Sequence, residues 1–134
     1  MKAGLTALLA TVALMAGCGN DQPWHGKDIS GLMPELAFEL TGTNGHTVSA
    51  ADTAGQLRLL YFGFTSCPDV CPDTLARLRM AINQLPETER ETVEVLFVSV
   101  DPKRDTPERL ASYVNFFGEQ VTGLDDVVII NVLR

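Results

Sequence analysis

The stretch Leu57-Arg58-Leu59-Leu60-Tyr61-Phe62-Gly63-Phe64-Thr65-Ser66-Cys67-Pro68-Asp69-Val70-Cys71-Pro72 decides the fold. Residues 57–64 form a near-continuous apolar run of strand length, the pattern of a central strand covered on both faces. From about Cys71 onward Leu75, Leu78, Ile82 and Leu85 recur at helical spacing, and Pro86 stops that helix because it lacks an amide and clashes with the preceding turn. Residues 93–100 repeat the buried-strand pattern, and Asp101-Pro102 turns the chain. Asp105-Thr106-Pro107-Glu108 then reads as a helix start, with an acid or hydroxyl cap, proline in the first turn and a glutamate placed for a capping box. Leu110, Tyr113, Val114 and Phe117 line one face of this second helix. The order strand, helix, strand, helix predicts an α/β fold built on a right-handed parallel unit.

Working outward, Leu36, Phe38 and Leu40 alternate with Glu35, Ala37 and Glu39, as in a strand with one buried face. Asn44-Gly45 is the turn of a hairpin, with a short returning strand from His46 to Val48. Residues 18–32, containing Gly, Pro, Asn, Asp and Lys, form a tether, and residues 33–134 form the domain. Residues 1–17 open with Met1-Lys2, continue through an apolar core to Ala16 and close on small residues, which is the pattern of a secretory signal; the apolar run is too short to span a bilayer. A chain of 134 residues, 46% apolar and 20% charged, suits one folded globule. The net charge of −7, with no basic run longer than Lys103-Arg104, excludes nucleic acid as a partner.

The chemistry lies where the first core strand hands over to its helix, the end of such strands at which α/β proteins place their sites. Cys67 and Cys71 are four residues apart, so if Cys71 opens the helix, both sulfurs face one point a turn apart. The free amides at a helix N-terminus favour thiolate over thiol. Two converging thiolates suit either a soft metal such as Cu(I) or reversible disulfide chemistry, and two ligands are too few for structural zinc. An inert disulfide closing so small a loop adds little chain entropy and is the blander alternative. Asp69 lies between the thiols, as an electrostatic modulator or a solvated loop acid, whereas Asp101 and Asp105 are explained by turn formation and capping. Trp24 is a packing anchor beside the tether, and His46 a solvated turn residue.

Two resemblances extend this reading. Met15-Ala16-Gly17-Cys18 resembles a bacterial lipobox, which implies that Cys18 carries the lipid and holds the protein to the cell envelope, facing the periplasm or the outside. From about Trp24 to Phe117 the chain resembles the Sco/SenC copper chaperones, which have a thioredoxin-like fold. The residues that carry this are Trp24-His25-Gly26-Lys27-Asp28-Ile29-Ser30-Gly31, Tyr61-Phe62-Gly63-Phe64-Thr65, the Cys67-Pro68-Asp69-Val70-Cys71-Pro72 core, Ser99-Val100-Asp101-Pro102 and Arg104-Asp105-Thr106-Pro107. The resemblance implies that Cys67 and Cys71 are copper ligands in a metallochaperone that helps to build the dicopper centre of cytochrome c oxidase, with that enzyme's copper-bearing subunit or another copper or thiol carrier as partner. The alternatives are a thiol:disulfide reductase using the same two cysteines, and a truncated, inactive product. Family members take a third ligand from a distant histidine followed by further strands and a C-terminal helix, whereas here no histidine follows Cys71 and the tail 125–134 is unlike that continuation. The expectation is therefore a site that holds Cu(I) and binds Cu(II) poorly, with His25 in the tether and His46 in the hairpin as the sole imidazoles.

Overall fold

The computed structural model describes residues 26–29 and 31–125. The signal, Cys18, Trp24, His25 and the tail beyond Asp125 therefore lie outside the described residues. The chain divides into two compact units, Met1–Pro34 and Glu35–Arg134. In the first, the Leu32 amide donates to the Ile29 carbonyl at 3.0 Å, and Gly31 takes a φ of +76° that favours glycine. The second carries the sheet, the helices and the paired cysteines.

Five strands form one mixed sheet: β1 (Glu39–Gly42), β2 (Thr47–Ser49), β3 (Leu57–Gly63), β4 (Val93–Ser99) and β5 (Val121–Asp125), in the spatial order β2-β1-β5-β4-β3. β3, β4 and β5 run parallel, from Leu57 opposite Val93 to Gly63 opposite Ser99 and from Val95 opposite Val121 to Ser99 opposite Asp125. β1 is antiparallel to both β2 and β5. Between the parallel strands lie helices α1 (Val70–Ile82), α2 (Glu87–Arg90) and α3 (Pro107–Asn115). The architecture is the α/β, thioredoxin-like one expected from the sequence.

The strand alternation of β4 divides the core into two faces. Val93, Val95 and Phe97 pack with Leu75 and Ile82 of α1, Leu110 and Val114 of α3, and Phe117. Leu96 and Val98 pack on the other face with Phe38, Leu40, Ala50 and Leu124. All five residues from Val95 to Ser99 are buried, so β4 is the strand covered on both sides.

The structure corrects several sequence expectations. β3 is not central: among the described residues it is the sheet's edge, with Leu57 60% and Phe62 45% exposed. An apolar run identifies a strand but carries no information about its rank in the sheet. The place beside β4 is taken by β5, which the sequence reading missed because it is only five residues long and Gly123, a residue disfavoured in strands, interrupts it. Gly123 is there for packing: a Cβ would meet Leu110 Cγ and Thr43 Cγ2 at 3.0 Å, so α3 and the hairpin close onto bare backbone. β1 begins at Glu39 and not near Glu35, although Phe38 is buried and its carbonyl accepts from the Ala50 amide at 3.1 Å. Leu85 lies beyond α1, which ends at Ile82 through i+3 bonds from Gln84 and Leu85, and Pro86 caps the unexpected α2.

Candidate metal centre

β3 delivers the chain to the site and α1 receives it. The Cys67 amide donates to the Phe64 carbonyl at 3.2 Å, closing a turn whose central residues are Thr65 and Ser66. α1 starts at Val70, with Asp69 as N-cap; its carboxylate makes no capping bond, which leaves the first helical amides available. The Cys67 sulfur takes up that role, accepting from the Cys71 amide at 3.4 Å. Both cysteines are free thiols, Cys67 half-buried and Cys71 buried.

This geometry determines the electrostatics. The Asp69 amide, then the Cys71 thiol and amide, and finally the Val70 amide hold the Cys67 thiol below its ordinary range, against a smaller opposing effect of burial. The Cys67 sulfur lies just ahead of the helix, and Asp69 contributes to its lowered pKa through its backbone amide. Glycine at position 63 makes room for the second sulfur: a Cβ there would lie 3.1 Å from Cys71 Sγ and 2.8 Å from Phe97 Cε2.

Two phenols border the pair. Thr74 draws the Tyr61 phenol down by a hydrogen bond, but burial and the neighbouring Cys71 and Cys67 push it up by more, so it stays protonated. Burial, followed by the charges of Cys71 and Cys67, pushes Tyr113 up to about 12, and its hydroxyl has no hydrogen-bond partner among the described residues. Tyr61, Phe97 and Tyr113 pack in sequence with tilted rings, their centroids 5.9 and 5.5 Å apart.

Behind the turn sits a carboxylate that the sequence reading assigned to capping. Thr106 is the cap of α3, accepting from the Arg109 amide at 3.4 Å, and Asp105 is fully buried with a different task. Its carboxylate accepts from the Thr65 hydroxyl at 2.6 Å, the Ser99 hydroxyl at 2.7 Å and the Thr65 amide at 3.0 Å. Burial alone would raise its pKa, but these bonds, with the Arg109 charge, outweigh it and hold the carboxyl below the ordinary range. Asp101 does form the turn, its carbonyl accepting from the Arg104 and Asp105 amides at 3.0 Å and its carboxylate paired with Arg104.

The pair assembled here is the one expected, Cys67 with Cys71, whereas His46 is exposed in the hairpin turn. Among the described residues, no three His, Cys, Asp or Glu side chains are grouped to hold a metal ion. Two soft sulfur donors, one with its pKa drawn downward, fit a thiophilic ion with low coordination number. Thr65 and Ser99 stand in segments that carry the family resemblance but receive no role from the sequence, and Arg109 is not singled out at all, because hydrogen bonds between residues distant along the chain leave no periodic signal.

Comparison with known proteins shows the family to which the chain belongs. The chain is 40% identical over 87 residues to the mitochondrial protein SCO2 of Saccharomyces cerevisiae, which covers 65% of this chain and 29% of that protein. A solved structure of ScoI from Bradyrhizobium japonicum with copper bound matches with a TM-score of 0.61 and 36% identity, over 66% of this chain and 56% of that one. BsSco, described as a member of the Sco family of cytochrome c oxidase assembly proteins with a disulfide switch, matches with a TM-score of 0.55 and 26% identity, over 66% of this chain and 53% of that one. The chain thus spans less than half the length of the yeast relative and about half that of the solved chains. The SCO1/SenC family model matches residues 32–125, reaching past Phe117 through the whole of β5. With that match over most of its length, and with the paired thiols at the head of α1, this chain belongs to the SCO1/SenC family.

Proposed function

We propose that this domain carries Cu(I) between Cys67 and Cys71 and passes it on to an acceptor in assembly of the dicopper centre of cytochrome c oxidase, anchored to the cell envelope by a lipid on Cys18. The observation that carries the reading is the Cys67 sulfur, held toward thiolate by the Asp69 amide and the Cys71 group beside a second free thiol. Transfer is a ligand exchange: an incoming sulfur or nitrogen donor of the acceptor adds to the ion as one cysteine leaves, with no change of oxidation state. The acceptor is the oxidase's copper-bearing subunit or another copper carrier. A copper-bound relative and a relative described as an oxidase assembly protein support this.

Reduced protein titrated with Cu(I) against a competing chelator tests it. One equivalent should bind, and Cys67→Ser or Cys71→Ser should abolish binding; equal binding by Cys71→Ser overturns the paired site. Cu(II) favours tetragonal sets with nitrogen or oxygen donors, so it should be held poorly, or two Cu(II) ions should be reduced to Cu(I) as the two thiols lose two protons and close to a disulfide. A Cu(II)–thiolate paramagnetic signal surviving His25→Ala and His46→Ala together would show that imidazole is unnecessary. Intact mass of the membrane fraction reads the lipid on Cys18.

The second reading, thiol:disulfide reduction, is favoured by the same two free thiols. The Cys67 thiolate would attack a partner disulfide to give a mixed disulfide, and Cys71 would resolve it, releasing a reduced partner and a Cys67–Cys71 disulfide. A partner dithiol produced by the copper-free protein, and lost in Cys67→Ser, would favour that reading.

A further inference from the structure

The turn that presents Cys67 is gripped at its central positions by Asp105, just ahead of α3, and by Arg109 in the first turn of α3. Thr65 gives its amide and hydroxyl to the Asp105 carboxylate at 3.0 and 2.6 Å, and its hydroxyl accepts from Arg109 Nε at 2.8 Å. Ser66 Oγ accepts from Arg109 Nη2 at 3.1 Å. Asp105 is in turn fixed to the end of β4 by the Ser99 hydroxyl at 2.7 Å, and the Ser99 Oγ accepts from the Asp101 amide at 3.2 Å. The Cys67 amide then closes the same turn on the Phe64 carbonyl. A four-residue turn held by one backbone bond is soft, whereas this one is tied at both central residues to a second helix and a second strand.

From this we propose that Asp105 and Arg109 are positioning residues, which hold the 64–67 turn so that Cys67 Sγ faces the Cys71 amide and a metal ion bound there. The proposal rests on the reading of Cys67 and Cys71 as a Cu(I) pair. Neither residue touches the sulfur; they act through Thr65 and Ser66, as outer partners of metal ligands do. The two divide the work by burial. Asp105 is part of the interior and supports both fold and turn, whereas Arg109 is exposed and its bonds to Thr65 and Ser66 serve the turn. A guanidinium suits this because its planar fork reaches two oxygens at once, which an ammonium does not reproduce.

The test uses the full chain, reduced, with three readouts: Cu(I) affinity against a chelator, the iodoacetamide alkylation rate of Cys67 by peptide mass, and the urea midpoint. Arg109→Ala should leave the urea midpoint near that of the parent while lowering Cu(I) affinity about tenfold, the lower end of what loss of an outer partner costs. Alkylation of Cys67 near neutral pH should slow in parallel, because the sulfur leaves its amide donors. Arg109→Lys should recover part of both, and Asp105→Asn, which keeps the shape, should lower affinity as well as stability. Parent-like affinity and alkylation in Arg109→Ala would overturn the proposal, as would an Asp105→Asn protein that loses stability alone. If the parent binds no Cu(I), the copper reading fails by itself: slower alkylation in Arg109→Ala would still sustain the clamp, and an unchanged rate would remove it too.

Discussion

Two turns of this molecule are alike in size and opposite in construction. The hairpin turn between β1 and β2 is built from its own residues: the Gly45 amide donates to the Gly42 carbonyl at 2.8 Å, the Gly42 amide to the His46 carbonyl at 2.8 Å, and the His46 amide to Asn44 Oδ1 at 3.0 Å. Gly45 supplies the left-handed φ of +79° that closes it. The turn between β3 and α1 has one such local bond and is otherwise held by side chains forty or more residues ahead, through the Asp105 and Arg109 contacts to Thr65 and Ser66. The difference teaches where accuracy is placed. A turn that only reverses the chain is specified locally, and one that aims a reactive sulfur is braced from outside.

The contrast can be broken first at Asp105. Asp105→Ala leaves the Thr65 amide and two hydroxyls without their shared acceptor, and should cost about 3 kcal/mol of stability in urea unfolding. A loss no larger than that of a hairpin substitution would mean the brace is ornamental. The same carboxylate gives an acid limb. Its folded pKa is lowered, so its contribution is complete above the ordinary aspartate range and disappears as pH falls through the folded value. Stability of the parent measured against pH should therefore fall more steeply on the acid side than that of Asp105→Asn, and parallel curves would refute the charge's role.

Gly63→Ala tests the other support of the site. A Cβ at 2.8 Å from Phe97 Cε2 and 3.1 Å from Cys71 Sγ forces repacking, at about 2 kcal/mol. It should also displace Cys71, so that Cu(I) affinity falls together with stability. At Gly45 a Cβ meets nothing within 4 Å, and the cost of Gly45→Ala is confined to the backbone, about 1 kcal/mol. Cu(I) binding should be untouched there, and a loss of affinity in Gly45→Ala would show that the two turns are coupled after all.

Where local chemistry decides, the sequence was legible. Asn44-Gly45 announced the hairpin, Thr106-Pro107 the start of α3, the apolar runs β3 and β4, and the four-residue spacing brought Cys67 and Cys71 together at the head of α1. Each depends on residues close along the chain, whose side chains and dihedral preferences act directly on one another. The rank of β3 at the sheet's edge, the insertion of β5 between β4 and β1, and the conversion of Asp105 from expected cap to brace were decided only in three dimensions. A strand's neighbours are chosen by how all the faces pack, Gly123 is required only because Leu110 and Thr43 arrive against it, and a carboxylate's partners depend on which hydroxyls the fold brings within reach. By itself the sequence determined the hairpin, β3, β4, the two longer helices and the two sulfurs. The tertiary structure decided what stands behind those sulfurs, because hydrogen bonds between distant residues have no periodicity to read.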